Sequence, residues 1–189
     1  EKHIELQKLD KVIRKFVPSG FSIRNTVHPF VDDVELHDLR CVKNINLDRA
    51  EKSIGTLGGG NHFIEVDKDE DGTLYLVVHS GSRHLGVEIA SYYQKLAYEQ
   101  LNRCSKVEVD ELVKRLKAEG KQKQIESEIK KVKSTKRTNI PKNLAYVEGK
   151  SFEDYIHDMK IAQHYAVLNR RAMVDVILKE MKLHAVDEF

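Results

Sequence analysis

Two histidines are placed where metal chemistry is possible. His62 follows a run of glycines, and His79 precedes residues 80–83 (SGSR), so a glycine-containing loop flanks each of them. Imidazole is a common ligand for transition metals, and such loops often carry binding residues. The pair predicts a metal site, with two ordinary histidines at strand ends as the alternative. A complete site needs three or more ligands, and the sequence supplies two convincing ones.

The segments that carry these histidines are predicted to form a β-hairpin. Residues 62–67 (HFIEVD) and 73–79 (TLYLVVH) have strand character, the second apolar on both faces, and residues 69–72 (DEDG) are a turn signal. A four-residue turn places His62 opposite His79, whereas a two-residue turn makes them diagonal neighbours. Both registers predict the rings on one sheet face, with Cβ atoms about 4.5–5.5 Å or about 7–8 Å apart. Those distances suit one shared metal or two adjacent metals.

The stretch before the first strand, GTLGGGNH at 55–62, is the most unusual part of the chain. Four glycines in six residues indicate a backbone that needs positive φ or lies close to a ligand. The stretch is not a P-loop, which needs Lys-Ser/Thr after its last glycine, and not a Rossmann fingerprint, because a strand follows it. A flexible linker is the alternative, but the glycines lead directly into a strand that is predicted to be buried.

Three further polar side chains lie next to these motifs. Asn61 precedes the first histidine, and Glu65 is predicted to lie on the opposite sheet face from both histidines. Glu65 is therefore expected to contact a second ligand rather than the metal, with a solvent-facing strand residue as a serious alternative. Arg83 stands just before a predicted helix, where backbone N–H groups and a guanidinium together suit a phosphate. A surface salt bridge is the alternative for Arg83.

Three other features have weaker claims to function. Asp38 and Cys41 have the spacing of a metal motif but no glycines or strand around them, so a structural cysteine is expected. His157 and His164 share a helix face, where packing or surface roles are commoner. Residues 114–142 contain eleven Lys/Arg and three Glu, a net charge of +8. They could contact RNA phosphates, but a solvated helix is commoner, and no aromatic residue is interleaved for base stacking.

The remaining elements are predicted to be helical. Apolar periodicity and helix-terminating residues place them at 3–17, about 86–102, 107–133 with a break at Gly120, and 151 to about 182. The predicted fold class is α+β: a β-hairpin in a mixed sheet, packed by several helices that include a long C-terminal helix. Residues 1–189 are interpreted as a single segment with a basic helical excursion at about 107–137.

Length and composition limit the class of protein. The chain has 189 residues, of which 40% are hydrophobic, and this excludes wholesale disorder. A net charge of +2 excludes a uniformly basic nucleic-acid-binding coat. Two cysteines cannot form a disulfide scaffold, so a reducing, cytoplasmic compartment is expected. No apolar stretch is long enough for a membrane span, and the absence of an initiator Met predicts a segment of a longer chain.

Two motifs occur in an order that is typical of one protein family. GTLGGGNHFIEV at 55–66 is followed by HSGSRHLG at 79–86. In this order the motifs are highly specific, and they resemble the RtcB family of RNA-splicing and RNA-repair ligases. The resemblance extends to LDKVI at 9–13 with PSG at 18–20, and to residues 155–175, so it covers most of the chain outside the basic excursion.

The resemblance implies an activity and its cofactors. Such ligases join an RNA 2′,3′-cyclic phosphate or 3′-phosphate end to a 5′-hydroxyl end, as in tRNA splicing and RNA repair, using GTP and Mn²⁺. By motif, His62 and His79 would each hold one of two manganese ions, and Arg83 would be the catalytic residue that holds an RNA or nucleotide phosphate. Three residues would line the GTP site: Asn61 at phosphate, Phe63 against guanine and Glu65 accepting from the guanine edge. RNA ends and GTP are the partners implied.

The chain also departs from the family pattern. The family has an Asp-x-x-Cys metal motif before the first helix, and Asp38 and Cys41 do not match it because they follow that helix. A further His ligand and the His that accepts GMP in the family come after the long helix, beyond residue 189. The chain is therefore expected to be a middle fragment that cannot form the His–GMP intermediate alone. A non-catalytic RNA- or nucleotide-binding module and a metal-dependent phosphate-ester hydrolase are the alternatives.

Overall fold

The computed structural model describes residues 5–104, 106–135 and 137–187. Residues 3 and 4, at the start of the first predicted helix, lie outside this part of the chain. The described residues form two compact units. The first contains the chain up to Ala90 together with residues from Asp154 onward, and the second contains Ser91–Glu153.

Six α-helices and one hairpin make up the regular structure in the described ranges, and the predicted α+β class is confirmed. The elements in chain order are α1 (Leu6–Phe16), α2 (Leu47–Ser53), β1 (Phe63–Lys68), β2 (Leu74–His79), α3 (Arg83–Leu101), α4 (Lys106–Ala118), α5 (Ile125–Ser134) and α6 (Gly149–Met181). Short 3-10 turns occupy Pro29–Asp33, Leu36–Asp38, Val42–Asn44, Gln122–Gln124 and Lys142–Leu144. Within these ranges the sheet consists of two antiparallel strands, so the predicted mixed sheet is not formed there.

The core of the first unit joins both ends of the chain to the hairpin. Leu9 and Val12 are buried on α1, and basic residues occupy its last turn. The helix ends before Pro18, which cannot continue it. The buried cluster comprises Leu9, Val12, Val17, Met173, Ile177 and Met181. The inner face of the hairpin packs against this cluster through Ile64, Val66, Leu76 and Val78.

The register of the hairpin differs from both predicted registers. Phe63 is paired with His79, and the last pair is Lys68 with Leu74, so residues 69–73 form a five-residue loop. The carboxylate of Asp69 accepts a hydrogen bond from the Thr73 N–H at 2.7 Å, and the Asp69 N–H donates to the Thr73 carbonyl at 3.1 Å. Gly72 has a φ of +81° within this loop. A left-handed glycine of this kind adds a residue to the turn and moves the pairing by one position.

The corrected register changes which side chains share a face. Phe63, Glu65 and His79 lie on the same outer face, so the prediction that Glu65 lies opposite His79 is wrong. The prediction that the second strand is buried on both faces is also wrong, because Tyr75 is 41% exposed on that outer face. The period of two places alternate residues on opposite faces, and a shift of one position exchanges the faces.

The helices begin and end close to their predicted positions. The long helix α6 ends at Met181 as expected, but begins at Gly149, two residues before the predicted capping box. In the second unit, Gly120 has a φ of +70° and separates α4 from α5, which confirms the predicted break. The charged side chains there form surface ion pairs such as Lys121–Glu119 at 2.8 Å. None of the described helices combines the length and apolar character needed to cross a membrane.

Candidate metal and nucleotide site

The glycine-rich loop at 55–62 is held by backbone hydrogen bonds to the loop that ends α1. The Leu57 N–H donates to the Pro18 carbonyl at 2.8 Å, and the Gly20 N–H donates to the Gly58 carbonyl at 2.7 Å. Ser19 and Gly58 form a parallel bridge between the two segments. These bonds fix the loop in place, so the flexible-linker alternative is wrong.

Gly58 is the point at which this loop meets two candidate site residues. Its φ is +93°, and a Cβ there would collide with the guanidinium of Arg83 and with Nδ1 of the His62 ring. Only glycine combines this backbone conformation with room for both side chains. The positive φ predicted for the loop is therefore confirmed, and its consequence is the close approach of Arg83 and His62.

The two predicted metal ligands are brought together. The ring centroids of His62 and His79 lie 6.1 Å apart with an interplanar angle of 56°. The proximity was predicted, but its stated cause was wrong. His62 precedes β1 and lies outside the ladder, while Phe63 is the residue paired with His79. The glycine loop, rather than strand pairing, directs the His62 ring towards His79.

The two imidazoles could form part of a metal site, but the described residues do not complete it. Nδ1 of His62 is buried and has no hydrogen-bond partner among the described residues. A buried polar atom normally has a partner, so this nitrogen indicates a missing one. The His79 ring is exposed and stacks on Phe63 at 5.1 Å. Within the described ranges, no group of three or more His, Cys, Asp or Glu side chains could hold a metal ion.

Arg83 is held by the loops around it. It is the first residue of α3 and has a φ of +56°, which is uncommon for a residue with a side chain. Its Nε donates to Thr56 Oγ1 at 2.8 Å and its Nη2 donates to the Gly20 carbonyl at 2.9 Å. Burial lowers the pKa of this guanidinium. These partners are neutral oxygens, in contrast to the carboxylate that the surface salt-bridge alternative requires.

The residues predicted to line a nucleotide site are on or beside the outer face of the hairpin. Asn61 is exposed at the end of the glycine loop, and Glu65 is exposed in β1. Phe63 is 42% exposed although it stacks on His79. The structure therefore leaves all three side chains accessible, and their contacts with a nucleotide stay predictions.

Comparison with known proteins identifies the family. The family model described as tRNA-splicing ligase RtcB matches residues 3–188. The chain belongs to the RtcB family. RNA-splicing ligase RtcB of Escherichia coli K12 is 32% identical over 133 residues, which cover 69% of this chain and 25% of that protein. The tRNA-splicing ligase RtcB of Nanoarchaeum equitans is 31% identical over 113 residues, covering 49% of this chain and 23% of that protein.

A third relative, the tRNA-splicing ligase RtcB of Aeropyrum pernix, is 37% identical over 59 residues, covering 24% of this chain and 12% of that protein. The chain spans about a quarter of the length of the Escherichia coli RtcB proteins that it matches. No solved structure matches it significantly.

Sequence reasoning missed a residue that contacts both histidine-bearing loops of this RtcB-family chain. Asn169 on α6 is fully buried, and its Oδ1 accepts from the N–H groups of Gly55 at 2.8 Å and Thr56 at 3.1 Å. Its Nδ2 donates to Ser80 Oγ at 3.2 Å and to the Gly81 carbonyl at 3.0 Å. The sequence offered one signal: Asn169 is a polar residue at helical spacing from Tyr165, Ala172 and Met173, which form the buried apolar side of α6.

Two more contacts close this network. Ser80 Oγ donates to the Leu57 carbonyl at 2.8 Å, joining the loop after β2 to the glycine loop directly. Arg170 on α6 donates through Nη1 to the Ser80 carbonyl at 3.0 Å. The loops at 18–20, 55–62 and 80–83 therefore meet over one face of α6.

The features with weaker sequence claims lie in other surroundings. Cys41 is buried, and burial together with a hydrogen bond from its thiol to the Asp158 carboxylate raises the pKa of the thiol to about 12. Asp158 is fully buried and accepts from the backbone N–H groups of Arg40 at 2.8 Å and Cys41 at 3.1 Å. The structural role predicted for Cys41 fits these contacts. Nδ1 of His157 lies 3.1 Å from Asp158, whereas His164 is exposed.

Proposed function

We propose that this chain supplies part of the metal and GTP site of a GTP- and Mn²⁺-dependent RNA ligase. The reaction joins an RNA 2′,3′-cyclic phosphate or 3′-phosphate end to a 5′-hydroxyl end, in tRNA splicing or RNA repair. The observation that carries the proposal is the pair of imidazoles at 6.1 Å, one with a buried, unpartnered nitrogen. Membership of the RtcB family supports RNA ends as the substrate.

His62 and His79 are the residues that would hold manganese, one ion each. Imidazole is the commonest metal ligand among side chains, and Nδ1 of His62 is buried with no hydrogen-bond partner among the described residues. When bound, a divalent metal supplies Lewis-acid polarisation of phosphoryl oxygens. The described residues would contribute two imidazoles, and a complete metal site would need at least one further ligand.

Three exposed residues would bind the guanine nucleotide. Phe63 has one ring face on His79 and would offer its other side to guanine. Glu65 shares that outer strand face, and a carboxylate is an acceptor for the N–H groups of the guanine edge. Asn61 would contact phosphate at the end of the glycine loop. This arrangement puts the base-binding ring next to a metal ligand.

Arg83 would hold a phosphate of the RNA end or of the nucleotide. Its Nε and Nη2 are used by Thr56 and Gly20, and its Nη1 side lies against Gly58 and His62. A guanidinium fixed in this way offers its remaining N–H groups without losing side-chain freedom on binding. We also propose a cytoplasmic location, which the two free thiols of the chain support.

Metal binding by the full-length protein that contains this chain tests the proposal. His62→Ala and His79→Ala should each lower Mn²⁺ affinity at least about tenfold in calorimetric titrations, since the loss even of a partner behind a ligand costs about 10–100-fold. Joining of an RNA with a 2′,3′-cyclic phosphate end should fall with it. His164→Ala, an exposed histidine on α6, is the matched control and should change neither.

The result that would overturn the proposal is unchanged Mn²⁺ affinity and ligation in both histidine variants. Metal-independent RNA binding with a steep salt dependence and no ligation would instead favour the non-catalytic RNA-binding module.

A further inference from the structure

The amide of Asn169 uses its full hydrogen-bonding capacity on two loops. Its oxygen accepts two backbone N–H bonds at the start of the glycine loop, from Gly55 and Thr56. Its nitrogen donates two bonds to the loop after β2, to Ser80 and Gly81. An amide has two N–H donors and two lone pairs on its oxygen, so every capacity is filled. Such a saturated buried group specifies one geometry of the parts that it joins.

These two loops are the ones that carry the histidine pair. The glycine loop ends at His62, and Ser80 directly follows His79. One amide on α6 therefore contacts the start of the glycine loop that ends at His62 and the two residues that follow His79. The His62 ring is outside the strand ladder, so pairing between β1 and β2 does not set its distance to His79.

We propose that Asn169 is a positioning residue that sets the spacing of His62 and His79 for divalent-cation binding. The inference rests on the proposed function of the histidine pair. Asn169 touches neither ring; it acts through the backbone of the two loops. We therefore expect the change in metal affinity to depend on whether a substitution alters the Oδ1 acceptor or the Nδ2 donors of the amide.

Asn169→Asp separates the two ends of the amide with little change in size. The carboxylate keeps an acceptor for the Gly55 and Thr56 N–H groups but has no donor for the Gly81 carbonyl, which it repels. The glycine loop should stay attached while the loop beside His79 shifts. Ser80→Ala is a second variant. It removes one acceptor of the Asn169 amide and the direct bond from Ser80 Oγ to the Leu57 carbonyl, but it leaves the bonds of Asn169 to Gly55, Thr56 and Gly81 in place.

Tyr165→Phe is the matched control for loss of a buried hydrogen bond on the same helix. Tyr165 is fully buried one turn before Asn169, and its hydroxyl donates to the Ala50 carbonyl of α2 at 2.7 Å. It makes no hydrogen bond to either histidine-bearing loop in the described residues. Its loss should lower the melting temperature and leave metal binding unchanged.

The experiment is a calorimetric titration of Mn²⁺ into the full-length protein and these variants, with melting temperatures measured without metal. Asn169→Asp should weaken Mn²⁺ binding about 10–100-fold, the range typical of residues behind a metal ligand. Ser80→Ala should weaken it less, and Tyr165→Phe by less than about twofold. A fall in Mn²⁺ affinity without a matching fall in melting temperature distinguishes positioning by Asn169 from general destabilisation.

Two outcomes overturn the inference. Equal Mn²⁺ affinities of Asn169→Asp, Ser80→Ala and Tyr165→Phe would show that Asn169 only stabilises the fold. If Asn169→Asp does not fold, a Mn²⁺ affinity of Ser80→Ala equal to that of Tyr165→Phe has the same meaning. His62→Ala and His79→Ala are measured in parallel. If these two variants also retain Mn²⁺ affinity, the proposed function itself fails. If they lose it, only the inference about Asn169 fails.

Discussion

Phe63 lies directly opposite His79 in the hairpin, and their rings stack at 5.1 Å with an interplanar angle of 15°. The Phe63 ring therefore packs against one face of His79, a proposed metal ligand. The same ring is 42% exposed and can receive a planar base on its other side. In the proposed site, metal binding and base binding would share this ring.

The first prediction concerns that shared ring. Phe63→Leu in the full-length protein should weaken GTP binding by about 1–3 kcal/mol, the range for loss of stacking between a base and an aromatic ring. Tyr75→Leu is the control, because Tyr75 is equally exposed on the same strand face. Isothermal titration with GTP measures both. Equal effects of the two substitutions would contradict a specific role for Phe63.

The second prediction concerns Gly58, and Gly60 provides its control. Both have positive φ, but a Cβ on Gly58 meets Arg83 and His62, whereas a Cβ on Gly60 meets nothing within 4 Å. Gly60→Ala should cost about 1–2 kcal/mol through backbone strain alone. Gly58→Ala should cost more and also weaken Mn²⁺ binding. Urea unfolding and metal titration measure the two effects, and similar results for both variants would show that the contact with His62 is unimportant.

The third prediction tests how Arg83 is held. Arg83→Lys keeps the charge but cannot make both bonds to Thr56 and Gly20, because an ammonium lacks the planar fork. Stability should fall by about 1–3 kcal/mol, the range for lost hydrogen bonds to a charged group. Affinity for an RNA with a 3′-phosphate end should fall as well. Arg14→Lys, on an exposed face of α1, should leave both unfolding and RNA binding nearly unchanged; a comparable loss there would remove the distinction.

The fourth prediction concerns a buried carboxylate outside the site. Asp158→Ala leaves two backbone N–H groups without their acceptor, that of Cys41 in a buried position and that of Arg40 in a partly buried one. The expected loss of stability is about 2–4 kcal/mol, since each unsatisfied group costs about 1–3 kcal/mol. Asp10→Ala removes an exposed ion pair with Arg14 and should have a much smaller effect. Chemical denaturation of both variants checks this, and a loss for Asp158→Ala as small as that for Asp10→Ala would be inconsistent with it.

The fifth prediction concerns the two thiols. The thiolate is the reactive form, and a pKa of about 12 leaves on the order of one Cys41 in ten thousand ionised at pH 8. The pKa of Cys104 is also raised, by desolvation and by its hydrogen bond to Glu108, but its side chain is only half-buried. Cys104 should therefore be alkylated first and Cys41 only after unfolding. Mass spectrometry of a time course shows the order, and Cys104→Ser should abolish the fast reaction.

The sequence predicted the elements that depend on local signals. The helix break at Gly120 and the positive φ of Gly58 follow from the freedom of glycine at single positions, and both were correct. The hairpin was also predictable, because an acidic turn ending in Gly72 separates two apolar segments. Its register was not, since the bonds of Asp69 to Thr73 lengthen the loop to five residues.

The part of the site that the sequence did not reveal depends on distant contacts. The nearness of His62 and His79 was predicted from a hairpin, but the structure attributes it to the glycine loop and its neighbours. Asn169 and Gly55 are 114 residues apart in the chain, and no local pattern connects them. A buried polar residue on an apolar helix stripe is a signal only when its partners are known.

The distance along the chain between α6 and the loops that it holds has a consequence for synthesis on the ribosome. At about 5–20 residues per second, roughly 6–23 s pass between translation of Gly55 and translation of Asn169. During this interval Asn169 has not yet been made, so the N–H groups of Gly55 and Thr56 lack the acceptor that they have in the folded protein. If Asn169 sets the spacing of the histidine pair, as proposed, the two rings reach their final separation only after α6 has been synthesised.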